Sequence, residues 1–137
     1  MPSAPIDPRG PRFAAVLTSL VLAAALITGS TLLLALQTLV FAAGALGGHR
    51  LAPYGWLFRT LVRPRLGPPA ELEDPRPPRF AQGVGLAFTL LATLAALAGL
   101  PWLATALTAM ALAAAFLNAA FDYCLGCECY LLLSRLR

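Results

Sequence analysis

Apolar residues in this chain gather into two uncharged blocks, Phe13 to Gly48 and Phe80 to Phe121, and every charged residue lies outside them. One transmembrane helix needs about 17 to 25 residues, so each block is long enough for two and reads as a hairpin of spans. Within the first block Gly29-Ser30-Thr31 is the only turn-prone cluster, and within the second Gly99-Leu100-Pro101 plays that part. The pattern therefore predicts helices over about 13–28 and 31–47, then over about 80–98 and 101–121. Glycine suits the end of one helix and proline the first turn of the next.

The segment that opens each block is repeated. Asp7-Pro8-Arg9-Gly10-Pro11-Arg12-Phe13-Ala14 returns as Asp74-Pro75-Arg76-Pro77-Pro78-Arg79-Phe80-Ala81, with one position changed. A unit with an even number of spans gives parallel copies, related by an axis along the membrane normal. The expected fold is an all-α membrane protein, a four-helix transmembrane bundle made of two parallel two-helix repeats with interfacial cytoplasmic helices. Residues 1–137 form one integral membrane domain. Repeat 1 covers 7–66 and includes an interfacial helix over about 51–66, where Tyr54, Trp56 and Phe58 alternate with arginines. A proline-rich cytoplasmic linker covers 67–78, and repeat 2 covers 74–137 and ends in a cysteine-bearing tail. In the opening segments the aspartate and prolines are expected to delay the helix until Pro11 or Pro78.

Charge fixes the expected orientation. The net charge of +4 comes from arginine alone, and the arginines sit before the first block, between the blocks and at the chain end, as Arg135 and Arg137. Excess arginine on one side is the positive-inside pattern, so both termini are expected in the cytoplasm of a bacterial inner-membrane, multi-pass protein. Hydrophobic residues make up 59% and charged residues 12%, against about a quarter charged in soluble domains, which excludes a soluble fold. The segregation of charge also argues against nucleic acid as a partner. The unbroken apolar run to Gly48 argues against a cleaved signal peptide. Arg9, Arg12, Arg76 and Arg79 are candidate membrane-interface residues, or a paired anion-binding cluster. Abundant alanine and glycine in the spans suit close helix packing.

All three cysteines lie after the last span, in Asp122-Tyr123-Cys124-Leu125-Gly126-Cys127-Glu128-Cys129. Cys124 and Cys127 form a Cys-x-x-Cys pair, a spacing that commonly lowers one thiol pKa and supports thiol exchange. Cys129 is a candidate resolving thiol or metal ligand. Asp122, Glu128 and Asn118 are candidate supporting groups, although carboxylates raise a thiol pKa unless they accept its proton. Four readings fit this cluster: reversible dithiol or persulfide chemistry, zinc or copper binding completed by a carboxylate or a second subunit, incidental packing, and lipidation. Asn118, the amide of the fourth span, suits an interhelical hydrogen bond or a ligand-orienting role, and Gln37 and His49 suit bundle-interior packing or headgroup contact. The tail resembles the first interfacial segment, Arg63 and Arg65 corresponding to Arg135 and Arg137, with about five extra residues inserted around the cysteines.

The motif Asp74 to Gln82, the run Ala113 to Ala120 and Cys124-Leu125-Gly126-Cys127-Glu128 together resemble the bacterial membrane family described as domain of unknown function 4395. Its members are often encoded beside thioredoxin-like or sulfurtransferase proteins, and the resemblance therefore implies thiol or sulfur traffic carried by Cys124 and Cys127. A four-helix bundle with a terminal cysteine pair is also similar to quinone-linked disulfide-forming membrane enzymes. Those enzymes work outside the cytoplasm, whereas here the external turns hold no cysteine.

The expected function is a membrane-embedded thiol- or sulfur-handling protein. Its cytoplasmic-side Cys-x-x-Cys exchanges with a thioredoxin-like or rhodanese-like partner, and a quinone is a candidate electron acceptor. The alternative is a non-enzymatic transporter subunit or scaffold, with homo-oligomerisation available to it, whose cysteines bind metal or pack. The scarcity of polar residues in the spans argues against a wide ion path through one protomer.

Overall fold

A computed structural model describes residues 5–136; Arg137, one of the arginines used to orient the chain, lies outside the described residues. The described chain is all-helical, with α1 (Arg9–Thr28), α2 (Thr31–Gly47), α3 (Pro53–Leu57), α4 (Arg76–Leu97), α5 (Pro101–Phe121) and α6 (Leu125–Arg135). Among the described residues no strand forms; one isolated bridge pairs Ile6 with Glu73 and ties the connector to the start of the chain.

The turns follow from their residues. Gly29 takes a left-handed conformation (φ 69°) and its N–H closes α1 on the Ala25 carbonyl, while the Ser30 hydroxyl accepts from Leu33 N to open α2. Gly99, also left-handed (φ 81°), reverses the chain before Pro101 starts α5. α1 and α4 begin earlier than the sequence suggested, at Arg9 and Arg76 rather than at Pro11 and Pro78. The reason is a local cap: the carboxylates of Asp7 and Asp74 accept the backbone N–H of Arg9 and Arg76 at 3.0 and 2.9 Å. Prolines in the first turn then cost nothing, because those N–H groups would have no helical partner.

The expected interfacial helix over 51–66 is broken. α3 gives way to a π-helical turn (Phe58–Val62) and a 3-10 turn (Arg63–Arg65) that contains Pro64. Proline cannot supply the N–H that a continuing helix needs, and Phe58 is drawn into the interior against Phe13, with ring centroids 5.8 Å apart. The connector is irregular only as far as Pro75, so the expected linker over 67–78 is shortened from its far end.

Packing is most extensive between α1 and α5 and between α2 and α4. The first helix of each repeated segment therefore lies against the second helix of the other. The interior is built from Leu22, Ala25, Leu34 and Ala92, with Thr18, Thr38, Thr89, Thr93 and Thr108 buried beside them. Large apolar side chains such as Ile27 (84% exposed), Leu46 (76%) and Trp102 (69%) point outward. A water-soluble domain buries such groups; this arrangement fits a lipid surround. α1, α4 and α5 are long and apolar enough to cross a membrane, and α2, with 17 residues, is a shorter apolar helix.

Candidate functional site

The site is assembled by a chain reversal after α5. Asp122 adopts the left-handed region (φ 55°), the only described non-glycine residue to do so, and its N–H bonds to the Asn118 carbonyl while Tyr123 N bonds to the Leu117 carbonyl. The bond from Asp122 to Asn118 makes this an αL-type helix end, with aspartate where glycine is usual. Cys124 then takes an extended conformation as the N-cap of α6. Its Sγ accepts the Cys127 N–H at 3.1 Å, and the two sulfurs lie at disulfide distance with their Cα atoms 5.1 Å apart. A thiolate released at Cys124 would thus meet a backbone donor and the positive end of a helix dipole. Both cysteines are part-buried, whereas Cys129 is a free, exposed thiol.

α6 is held to α4 by close approach. Gly126 stands on Ala81, where an added Cβ would come within 2.6 Å of the Ala81 Cβ, and Tyr130 meets Phe80 with ring centroids 5.7 Å apart. Docked in this way, α6 closes one end of a cavity of about 400 Å³ bounded by α1, α4 and α5. Cys124 and Cys129 line it but Cys127 does not. The walls are mostly alanine, glycine, proline and phenylalanine with Val84, Met110 and Leu125, interrupted by Thr18, Gln82 and Asn118. Gln82 also stands in the wall of a second cavity of about 220 Å³, more polar, that Asp7, His49, Arg59 and Arg63 line.

The expected supporting residues are distributed unevenly. Asp122 and Glu128 are exposed, and Asn118 uses its carbonyl in the α5 cap while its side chain makes no hydrogen bond among the described residues, contrary to the interhelical bond expected of it. Gln37 packs in the bundle interior: fully buried, it donates to Thr18 Oγ1 at 3.2 Å and accepts from the Tyr54 hydroxyl at 2.8 Å. His49 packs inside, its Nε2 3.1 Å from the Pro75 carbonyl, and burial first, then Arg59 and Arg79, push its pKa down. Among the described residues no three of histidine, cysteine, aspartate and glutamate converge as metal ligands.

The four candidate arginines split into two kinds. Arg9 and Arg76 fork onto the carboxylates of Asp7 and Asp74, each with a shortest contact of 2.7 Å. Arg12 instead donates to the Ala119 carbonyl at the end of α5, and Arg79 to the Ala45 and Leu46 carbonyls at the end of α2. Each second arginine caps a helix of the other repeated segment, where unpaired carbonyls and the dipole favour a cation. All four guanidiniums thus make at least one contact within the chain.

The aspartates differ in setting: Asp7 is buried and Asp74 exposed. The Arg9 side-chain hydrogen bond, ahead of all other causes, holds the Asp7 carboxyl below the usual carboxylate range. A lowered pKa stabilises the fold above the unfolded value, about 3.9, and that contribution is lost as pH falls through the folded value. The melting temperature in detergent is expected to drop below about pH 4. Asp7→Asn should flatten that acid limb, and Asp74→Asn should change it far less.

Sequence reasoning assigned no role to three residues. Gln82 was quotable only as the end of a motif, yet its Oε1 is buried against Gly44 without a hydrogen-bond partner. Its signal was that of Gln37 and Asn118, an amide inside an apolar helix. Glu73 lies near enough to Asp122 that partial burial, then Asp122 and Glu71, raise its pKa. Thr18 carries no mark in the sequence that separates it from the other threonines.

Compared with known proteins, the chain matches a family model described as "Domain of unknown function (DUF4395)" over residues 6–135. No curated protein and no solved structure matches it.

Proposed function

The chain belongs to the DUF4395 family, and from the site itself we propose that it is a membrane-embedded thiol-handling protein whose Cys124–Cys127 pair exchanges with a thioredoxin-like or rhodanese-like partner. The observation that carries this reading is the placement of the pair: a Cys-x-x-Cys at the N-cap of α6, with Cys124 Sγ accepting the Cys127 N–H. In the exchange, a partner thiolate attacks Cys127 Sγ, a mixed disulfide forms, and Cys124 leaves as the thiolate that the backbone donor stabilises. The partner's second thiolate then attacks the mixed disulfide, so the partner becomes oxidised and the Cys124–Cys127 pair becomes a dithiol. Run in reverse, the same steps reduce a partner disulfide.

The proposal extends to architecture. α2 joins α1, α4 and α5 as a fourth span, giving two parallel two-helix units. Seventeen residues reach about 25 Å, a few ångströms short of the hydrocarbon core, which local thinning accommodates at modest cost. Among the described residues the arginines, both chain ends and the cysteines lie at one end of the helices, and by the positive-inside rule that end faces the bacterial cytoplasm. There a stable structural disulfide is a poor use of two thiols, whereas a cycling one fits.

The test is trapping. In Cys124→Ala the remaining Cys127 should accumulate a mixed disulfide with a thioredoxin-like or rhodanese-like protein from the same cell, sensitive to reductant. Cys127→Ala should trap far less. Failure of both variants to trap any such protein sinks the reading, as does rapid labelling of Cys129 in intact cells by an impermeant maleimide, since that would put the site on the opposite side.

A further inference from the structure

The two halves of the chain build equivalent corners whose chemistry differs. Phe58 meets Phe13 with ring centroids 5.8 Å apart and an interplanar angle of 48°, and Tyr130 meets Phe80 at 5.7 Å and 51°. Phe58 and Tyr130 are thus counterparts, at the same offset that relates Arg63 to Arg135. At that offset Ala52 and Gly55 stand where the second half has Cys124 and Cys127, and Arg59 stands where it has Leu131. The second half forms the same aromatic contact with leucine in that place, so packing does not demand Arg59. Ala52, Gly55, Arg59 and Arg63 line the smaller, more polar cavity of about 220 Å³, beside Asp7 and His49.

Arg59 and Arg63 lie four residues apart across the π-helical turn, and both reach this cavity. Like charges at that spacing repel each other. The nearby carboxylate does not cancel them. Both oxygens of Asp7 are taken by the Arg9 guanidinium and backbone N–H. Arg63 Nε stays 3.9 Å from Asp7 Oδ2, beyond hydrogen-bond length, and the Arg63 side chain makes no hydrogen bond among the described residues. Arg59 donates from its two terminal nitrogens to the His49 and Arg50 carbonyls, at 3.0 and 3.3 Å, which holds the guanidinium in place and leaves Nε–H unused. His49 adds no charge at neutral pH, since burial, ahead of Arg59 and Arg79, keeps its pKa below the usual value.

We propose that this cavity binds a phosphate oxyanion, carried by the headgroup of an anionic phospholipid or present as free phosphate. Arg63 offers the planar fork that matches two phosphate oxygens, and Arg59 Nε adds a further donor. Bound there, the anion turns the repulsion between the two guanidiniums into attraction to a shared charge. The exposed Trp56 and Leu61 on the same stretch supply apolar neighbours for glycerol and acyl chains, which a lipid uses and free phosphate does not. The site is separate from the cysteine pair, so it stands or falls apart from thiol exchange.

The test uses the whole protein, stripped of lipid in a neutral detergent at neutral pH. It is titrated with short-chain phosphatidylglycerol, with the matching diacylglycerol that lacks the phosphate, and with inorganic phosphate, and the melting temperature is followed. A ligand that binds only the folded chain raises that temperature saturably. Phosphatidylglycerol should do so, and Arg63→Gln should weaken its apparent affinity about tenfold, the loss of a charge-assisted contact. Arg63→Lys, which keeps the charge without the fork, should fall between. Arg135→Gln, the same change of charge at the counterpart position, should leave the affinity unchanged. Asp7→Asn keeps a helix cap but removes the negative charge from the cavity wall, so it should tighten binding severalfold. A response to phosphatidylglycerol alone identifies the lipid. An equal response to inorganic phosphate, lost in Arg63→Gln, identifies free phosphate and supports the site as well. No saturable response to either, an equal response to diacylglycerol, or equal weakening by Arg63→Gln and Arg135→Gln overturns the inference.

Discussion

Gly126→Ala is expected to lower the rate of thiol exchange at least about tenfold while both cysteines of the pair remain in place. The added Cβ would lie 2.6 Å from the Ala81 Cβ and 2.7 Å from the Ala81 Cα, inside any real contact between such atoms. Ala81 belongs to the first turns of α4, whose backbone is held by its neighbours α2 and α5, so the yielding partner is α6. Overpacking of this kind costs about 1 to 3 kcal/mol. α6 has few other anchors, since its outward face from Leu131 to Leu136 is exposed and the Phe80–Tyr130 contact is its main aromatic one. It should relieve the clash by lifting off α4, which pulls on the turn from Asp122 to Cys124 and disturbs the N-cap that holds Cys124 Sγ on the Cys127 N–H. The readouts are an exchange rate, the labelling rate of Cys129 and a melting curve. Slow exchange with a nearly unchanged melting temperature is the expected combination. Normal exchange in Gly126→Ala would mean that docking of α6 has no part in the chemistry.

That dependence could not be read in the sequence, although much around it could. Turn chemistry at Gly29-Ser30 and Gly99-Leu100-Pro101 was enough to place the helices over 31–47 and 101–121, because glycine, serine and proline act locally. The helix starts at Arg9 and Arg76 lie two residues ahead of the expected Pro11 and Pro78 because an aspartate two residues further ahead supplies a cap that the pattern of prolines does not show. The broken stretch after α3 depends on burial of Phe58 against Phe13, a contact between segments far apart in the chain. The cysteine pair was legible as a motif. Its position at an N-cap was not, since that requires Asp122 to accept a left-handed conformation that aspartate tolerates but does not announce. The cavity was least legible of all. It is lined from several helices at once, and such a meeting exists only once every element is placed.

Gln37→Leu should be the most destabilising single change among the polar groups of the bundle. Gln37 is 1% exposed and holds two side chains at once, accepting from Tyr54 at 2.8 Å and donating to Thr18 at 3.2 Å. Leucine fills the volume but satisfies neither, so a half-buried phenol and a buried hydroxyl lose their partners together. The phenol left unpaired sets the cost, so a loss of about 1 to 3 kcal/mol is expected, or several degrees in melting temperature. Removing the phenolic hydroxyl as well, in Gln37→Leu with Tyr54→Phe, should recover part of that loss, because an absent donor cannot be left unsatisfied. The recovery separates a hydrogen-bond effect from a packing effect: if leucine were merely the wrong shape, Tyr54→Phe would add its own cost instead. The same pair of variants bears on the cavity. Without Gln37 the Thr18 hydroxyl is free to turn back to the Ala14 carbonyl, as the other buried threonines do, and the donor in the cavity wall disappears without any change to a residue that lines it.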